Sequence, residues 1–330
     1  MRPEELKYAL PAAVHYGREK IGLLKFRSMG DSMKRAAIVL GVLSFALGGG
    51  AHMSASTAQQ SAPPPGQSAP AQGATPNSTQ GTAAPAGKRP PQAKTQPEFD
   101  AYKAAAASTD PAALEKAADD FAAKFPDSEL RVLLFKVAMR LYQNANNADK
   151  TEVMGRKVLN FDGDDPEALV IVAEVIAERT RDSDIDKDQR YGEATTMAQK
   201  ATQTIDTDVQ VPAGTPQDKI DAYKSMIKSQ AYSIMGTIDF KKENFPAAEQ
   251  NLQKSIDAYP SDPDKVVVLR LALTLDKEQK YPEALKVANR AVELTQDNTA
   301  VGTPARHERD RLQQLTGGAA PAQPQTPPKN

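Results

Sequence analysis

Three segments of the chain repeat one pattern, and that repetition constrains the fold more than anything else in the sequence. Tyr191-Gly192-Glu193-Ala194, Phe245-Pro246-Ala247-Ala248 and Tyr281-Pro282-Glu283-Ala284 each place an aromatic three residues before an alanine. The first two begin 54 residues apart and the last two 36 apart. Seven residues beyond each alanine stands another small residue, Ala201, Ser255 or Ala291. Residues at that spacing share one face of a helix, where a small side chain lets a partner helix come close. A unit this short cannot bury its apolar face alone, so recurring units must stack.

The segments lie in a stretch with the 3.6-residue period of amphipathic helices and little strand alternation. Helix starts are signalled by a capping residue followed by proline: Asp110-Pro111, Asp165-Pro166, Thr215-Pro216, Asp262-Pro263 and Thr303-Pro304. The capping oxygen accepts a free amide of the first turn, and proline there forfeits no hydrogen bond. These signals predict pairs at Phe99–Ala107 with Pro111–Phe125, Glu129–Asn144 with Ala148–Phe161, and Pro166–Arg179 with Lys187–Ile205. An insertion falls near 181–188. Ala305–Leu315 reads as a last helix with Leu312 and Leu315 facing inward, the polar-faced cap that a stack of repeats needs.

At these residues the chain resembles the tetratricopeptide repeat (TPR) family of helix-turn-helix units. Tyr232, Met235 and Gly236 match the family's large, large and small positions of a first helix. Phe245, Ala248, Leu252 and Ser255 match its second helix, and Pro260 the closing turn. The next unit offers Val268, Leu271 and Ala272, then Tyr281, Ala284, Ala288 and Ala291. Departures are Asp239 where an aromatic is usual, with Phe240 beside it, and Gln296 where the closing proline would stand. The resemblance implies an all-α fold, a right-handed α-solenoid of about five hairpins plus a C-terminal capping helix, over 97–316. A compact helical bundle is the alternative.

The flanks read differently. Residues 33–58 run from a basic start at Lys34 and Arg35 through the apolar run Ala36–Leu47 to small residues, the order of a secretory signal peptide. Twelve apolar residues are short for a bilayer span, which takes about 20. A cleaved signal is therefore expected, with a signal anchor as the alternative. Residues 1–32 are odd in front of such a signal and suggest a mis-assigned start, the true one being Met33 or Met29, or a disordered extension. Between Ser56 and Gln96 there is no Leu, Ile, Val, Met, aromatic or acidic residue, and prolines recur. Such a stretch has nothing to bury against the entropy of ordering, so 59–96 reads as a disordered linker and 317–330 as a similar tail. The basic cluster Lys88, Arg89 and Lys94 within it reads as a solubilising feature.

Chemistry is sparse. Cysteine is absent and histidines number three, His15, His52 and His307, which removes thiol chemistry and Cys-based zinc sites. The whole chain carries a net charge of −1, but residues 97–316 hold 29 basic and 38 acidic residues. That balance disfavours nucleic acid as a partner. Asp182, Asp184, Asp186, Asp188 and Glu193 occupy positions 1, 3, 5, 7 and 12 of an EF-hand-like loop. Lys187 stands where that loop needs glycine, so an acidic solvated connection is the expectation and a calcium site the alternative. No nucleophile, phosphate or dinucleotide motif is found, and no cofactor, metal or catalytic residue is expected.

TPR proteins generally bind polypeptides in the groove lined by their first helices, and the resemblance implies this here. Counting from the small position of each first helix gives groove candidates Phe135, Met139 and Tyr142, then Val170 and Glu174, then Ser233, Thr237, Phe240 and Lys241, then Leu269 and Leu273. Each apolar member has core packing as its competing role. The expectation is an exported, non-enzymatic interaction scaffold of the bacterial cell envelope, periplasmic or extracellular, binding a peptide or helix. An inner-membrane tether is the alternative location. An assembly factor of an outer-membrane or secretion complex and a calcium-modulated module are the alternative functions.

Overall fold

The computed structural model describes residues 88–210 and 215–317. The expected signal segment, the stretch before it, most of the linker and nearly all of the tail lie outside them. The described residues form eleven helices and no strand. These are α1 (Gln96–Ala106), α2 (Pro111–Lys124), α3 (Arg131–Asn144), α4 (Ala148–Phe161), α5 (Pro166–Arg179), α6 (Lys187–Thr204), α7 (Gln217–Lys241), α8 (Phe245–Ala258), α9 (Lys265–Lys277), α10 (Tyr281–Glu293) and α11 (Gly302–Leu315). Each helix packs on the next, making five hairpins and a cap, an α-solenoid. The core is accordingly three successive clusters: hairpins one and two, hairpin three with α7, and hairpins four and five with α11.

One register runs through all five second helices. Relative to Pro111, Ala148, Tyr191, Phe245 and Tyr281, the buried triplets are Leu114/Ala118/Phe121, Thr151/Gly155/Val158, Ala194/Ala198/Ala201, Ala248/Leu252/Ser255 and Ala284/Ala288/Ala291. Each triplet is the strip that the first helices grip. Phe245 and Tyr281 open their helices, whereas Tyr191 sits one turn inside α6, which begins at Lys187. The 54-residue spacing has its own source. α7 has 25 residues against 13 in α9, and the connection before α7 is twice as long as the one before α9. The extra turns of α7 bury Tyr223, Met226 and Ile227 against hairpin three.

Small residues meet close backbones. A Cβ on Gly236 would lie 2.7 Å from Leu252 Cγ and 3.0 Å from the Leu252 backbone nitrogen. One on Gly155 would lie 2.4 Å from Val172 Cγ2. Within hairpins two, four and five the turn is the same. Asn146, Glu243 and Gln279 take positive φ of 55°, 59° and 60°. The amides that follow donate five residues back, Asn147 to Tyr142, Asn244 to Asp239 and Lys280 to Leu275, each at 2.9 Å. This is the Schellman closure, made without the glycine that usually occupies its left-handed position.

Several boundaries move. Asp110 and Asp165 cap as expected, accepting from Ala113 N at 2.7 Å and Ala168 N at 2.9 Å. Asp264 rather than Asp262 caps α9, accepting from Val266 N at 2.7 Å. Helix α7 starts after Pro216 with no side-chain cap, and α11 starts at Gly302, before Thr303-Pro304. The apolar run from Val266 onward fixes where α9 must begin, and it outweighs the earlier Asp-Pro signal. Leu312 is buried, but Leu315 is 52% exposed, against the expected inward face, because among the described residues no further helix packs beyond the last turn.

The linker does not stay free up to residue 96. Lys88 donates through its backbone amide to Thr207 O at 3.0 Å and through Nζ to Asp162 at 2.6 Å. Arg89 forks onto Glu129 at 2.7 and 2.9 Å, and Lys94 Nζ reaches Asp127 O at 2.8 Å. These three cations bind the loops that join hairpins one to four, so their charge is used inside the body. A stretch without apolar side chains is held by charge and backbone hydrogen bonds, which composition does not register.

Candidate functional site

The first helices of successive hairpins touch one another, α1 on α3, α5 on α7 and α7 on α9, whereas no two second helices form a comparable contact. The first helices therefore lie on the inner side of the curve. On that side a solvent-open depression is lined by Glu174 of α5, by Met226, Ser229, Gln230, Ser233 and Ile234 of α7, by Ser255 and Tyr259 at the end of α8, and by Asp262 and Asp264 before α9.

Its charged members are set by helix register. Glu174 and Glu178 are one turn apart on α5, whose only other charges are Glu167 in its first turn and Arg179 at its end. Across from them, Arg270 of α9 donates to Thr237 Oγ1 at 2.7 Å, and Thr237 donates to Ser233 O at 2.7 Å. Asp264 is committed to its cap. Ser229 and Ser255 exchange hydrogen bonds at 2.8 Å and tie α7 to α8 beneath the depression. Among the described residues, neither Glu174 nor Glu178 has a hydrogen bond or ion pair. Burial, followed by the nearby Glu178 and Asp264 carboxylates, pushes the Glu174 carboxyl up to about 8. Burial lowers the Arg270 guanidinium, and Glu178 and Asp264 offset only part of that.

A second polar cluster lies deeper, and it is fully paired. Lys136 of α3 binds Asp165 at 2.6 Å and Glu167 at 3.2 Å, and Arg140 forks onto Glu167 at 2.6 Å. Burial works to raise the Glu167 carboxyl, but Arg140 and Lys136 overcome it and bring it to about 2. Tyr223 of α7 closes the cluster, its hydroxyl raised by burial and then by Glu167. This network locks α3, α5 and α7 together and leaves nothing for a ligand.

The groove candidates separate accordingly. Glu174 and Ser233 line the depression, and Thr237 anchors Arg270 at its edge. Phe135, Met139 and Tyr142 are not groove residues: they are 2%, 0% and 6% exposed. Phe135 stacks on Phe161 with ring centroids 5.6 Å apart, Met139 meets Gly155, and the Tyr142 hydroxyl donates to Glu115. Val170 and Leu269 are likewise core, and Leu273 packs on the core of hairpins four and five. Phe240 packs edge-to-face on Phe245 at 5.8 Å and closes its own hairpin. Lys241 donates to Ala177 O at the end of α5 and lies 5.4 Å from the Tyr191 ring, so it caps a neighbouring helix. The face counted as free in sequence is covered mainly by second helices: α4 over Phe135 and Met139, α2 over Tyr142 and α8 over Phe240.

The acidic run does not assemble. Glu193 is taken by Arg156 at 2.7 Å, and Asp184 accepts from Arg181 N at 2.8 Å. Among the described residues no three His, Asp or Glu side chains gather as a metal's ligands. Glu193 lies inside α6, two turns from the loop it would have to close.

Sequence reasoning missed Glu178, Asp264 and Arg270. The signal was present, since Arg270 is the lone charge between Val266 and Leu275 and Glu174 the lone charge between Ala168 and Ala177. A single charge in an apolar helical run marks a buried partner or a groove.

The class these features define is an all-helical repeat protein with a polar depression on its inner face. No family model matches the chain, and no curated protein matches it. Among solved structures it is similar to "Assembly Chaperone of RpL4 (Acl4) (Residues 1-338)", at 13% identity over 67% of this chain and 97% of that one, with a TM-score of 0.36. A likeness that low bears on neither site nor partner.

Proposed function

We propose that the chain is a non-enzymatic interaction scaffold of the TPR type that holds a polypeptide segment against its inner face, and that it works outside the cytosol in the cell envelope. The observation that carries the binding part is the inner depression, where Glu174, among the described residues, makes no hydrogen bond or ion pair while the neighbouring cluster around Glu167 is fully paired. A purely structural surface at such a place would leave its charges in water or paired. Export rests on the order of residues 33–58, basic, apolar, then small.

Two measurements test the two parts separately. A reporter enzyme active only outside the cytosol, fused after residue 330, reads export, and a fusion that stays inactive refutes it. Photo-crosslinking from Gln230 in cells, followed by mass spectrometry, reads the partner. Crosslinks to polypeptides are expected. The same yield from Gln253, on the exposed face of α8, would refute the inner face as the binding surface.

A further inference from the structure

The two walls of the depression carry opposite needs that the chain itself does not meet. On α5, Glu174 lines the opening and Glu178 follows one turn on, near enough for its charge to act on Glu174 and Arg270; among the described residues neither has a hydrogen bond or ion pair. On the α9 side, Arg270 holds only a neutral hydroxyl, Thr237 Oγ1 at 2.7 Å, and no carboxylate within ion-pair distance. Between them Ser229, Gln230 and Ser233 of α7 offer uncharged hydrogen-bonding groups along the floor. The charged groups around the opening are Glu174, Glu178, Asp262, Asp264 and Arg270, a surplus of carboxylates within a body that is itself acidic.

We propose that this depression, on the scaffold reading above, seats a lysine or arginine side chain of an extended basic peptide segment. The cation lies against Glu174 and Glu178, and Gln230, Ser233 and the Arg270 guanidinium hydrogen-bond the peptide backbone around it. Charge complementarity selects this occupant. An acidic segment would meet Glu174, Glu178 and Asp264 with one arginine to oppose them, and an apolar one would bury two carboxylates without partners, which is costly. A basic side chain satisfies both glutamates and lets the neutral floor serve the main chain.

The proposal also carries a pH signature. Glu174 is held protonated by burial and then by two carboxylates, Glu178 from its own helix and Asp264 from the start of α9; Arg270 feels the charges of Glu178 and Asp264, Asp262 also lines the opening, and α7 presents only uncharged Ser229, Gln230 and Ser233. A cation binds the ionised form and must displace that proton. Affinity therefore rises with pH up to about 8 and levels off above it. The limiting slope below 8 is about tenfold per pH unit.

Fluorescence polarisation on the full-length protein tests this with three short labelled peptides of one Ser/Gln/Leu background, carrying lysine and arginine, glutamate, or neither. The basic peptide should bind most tightly and more tightly at pH 8.5 than at pH 6.5. E174Q/E178Q should weaken it by about tenfold or more and flatten the pH dependence. Circular dichroism of that variant confirms that the helices persist. If the neutral or acidic peptide binds as well as the basic one, the cation seat is wrong while the scaffold reading stands. If no peptide binds, the cation seat is wrong, and the scaffold reading is decided by the crosslinking from Gln230. Binding of the basic peptide unchanged in E174Q/E178Q also overturns the assignment.

Discussion

The close approach of α7 and α8 can be weighed with one substitution made at two places. Gly236 and Gly192 both lie inside helices, so replacing either with alanine should gain about 1 kcal/mol from helix propensity. Only the surroundings differ. A methyl on Gly192 meets nothing within 4 Å, while one on Gly236 falls 2.7 and 2.9 Å from Leu252 Cγ and Cδ2 and 3.0 Å from the Leu252 backbone nitrogen. The side-chain contacts could be eased by a rotamer change, but the nitrogen moves only if α8 moves. Overpacking of this kind costs about 1–3 kcal/mol. Gly192→Ala should therefore stabilise by about 0.5–1 kcal/mol, and Gly236→Ala should destabilise by up to about 2 kcal/mol after the propensity gain is subtracted. In a body of this size each kcal/mol shifts the melting temperature by about 2–4 °C. Urea and thermal unfolding followed by circular dichroism read both variants. Adding Leu252→Ala to Gly236→Ala should recover less than the full cost, because the backbone contact remains and a cavity is added. If Gly236→Ala stabilises as much as Gly192→Ala, the account of why a small residue stands there is refuted.

Three further outcomes follow from the same geometry. The Glu174 carboxyl has a folded value of about 8 against an ordinary 4.5, so the native state holds a proton that the unfolded chain gives up. Stability should be intact below about pH 4.5 on this account and fall as pH rises through 8, with a slope of at most about 1.4 kcal/mol per pH unit. Glu174→Gln should remove that slope; urea midpoints that track wild type from pH 5 to pH 9 would contradict it. Gln279 occupies a left-handed turn at φ 60°, so Gln279→Gly should stabilise by about 1 kcal/mol, and Asn146→Gly by less because asparagine tolerates that region. Equal midpoint shifts for the two would count against the strain account. Lys88→Ala should lose about 0.5–1 kcal/mol at low salt and less at high salt, since its pair with Asp162 is part-exposed. A loss independent of salt would show that the segment is held by something other than charge.

How far the sequence could be read depended on the kind of signal. The starts of α2 and α5 were readable to the residue, because Asp110-Pro111 and Asp165-Pro166 combine a cap with a proline and an apolar period, whereas α1 begins three residues before the expected Phe99, at Gln96 behind the Thr95 cap. The start of α9 was not readable, because two aspartates compete and the packing of Val267 and Val268 decides between them. The groove was half readable. Glu174 was found by counting along a helix, but Phe135 and Met139 obey the same count and are core. A periodicity gives a face and does not say which neighbour covers it.

The sequence by itself determined the repeat: small residues at fixed spacing in α6, α8 and α10 leave stacked hairpins as the arrangement in which those strips can be gripped. It also determined that the body is acidic and contains no cysteine. Only the tertiary structure decided which carboxylates are spent. Glu167 and Glu174 stand two turns apart on one helix, yet Lys136 and Arg140 of α3 reach the first while no cation among the described residues pairs with the second. Local sequence sets where a charge sits on its helix, whereas its partners come from hairpins tens of residues away, and distance across a groove exists only once the stack has closed.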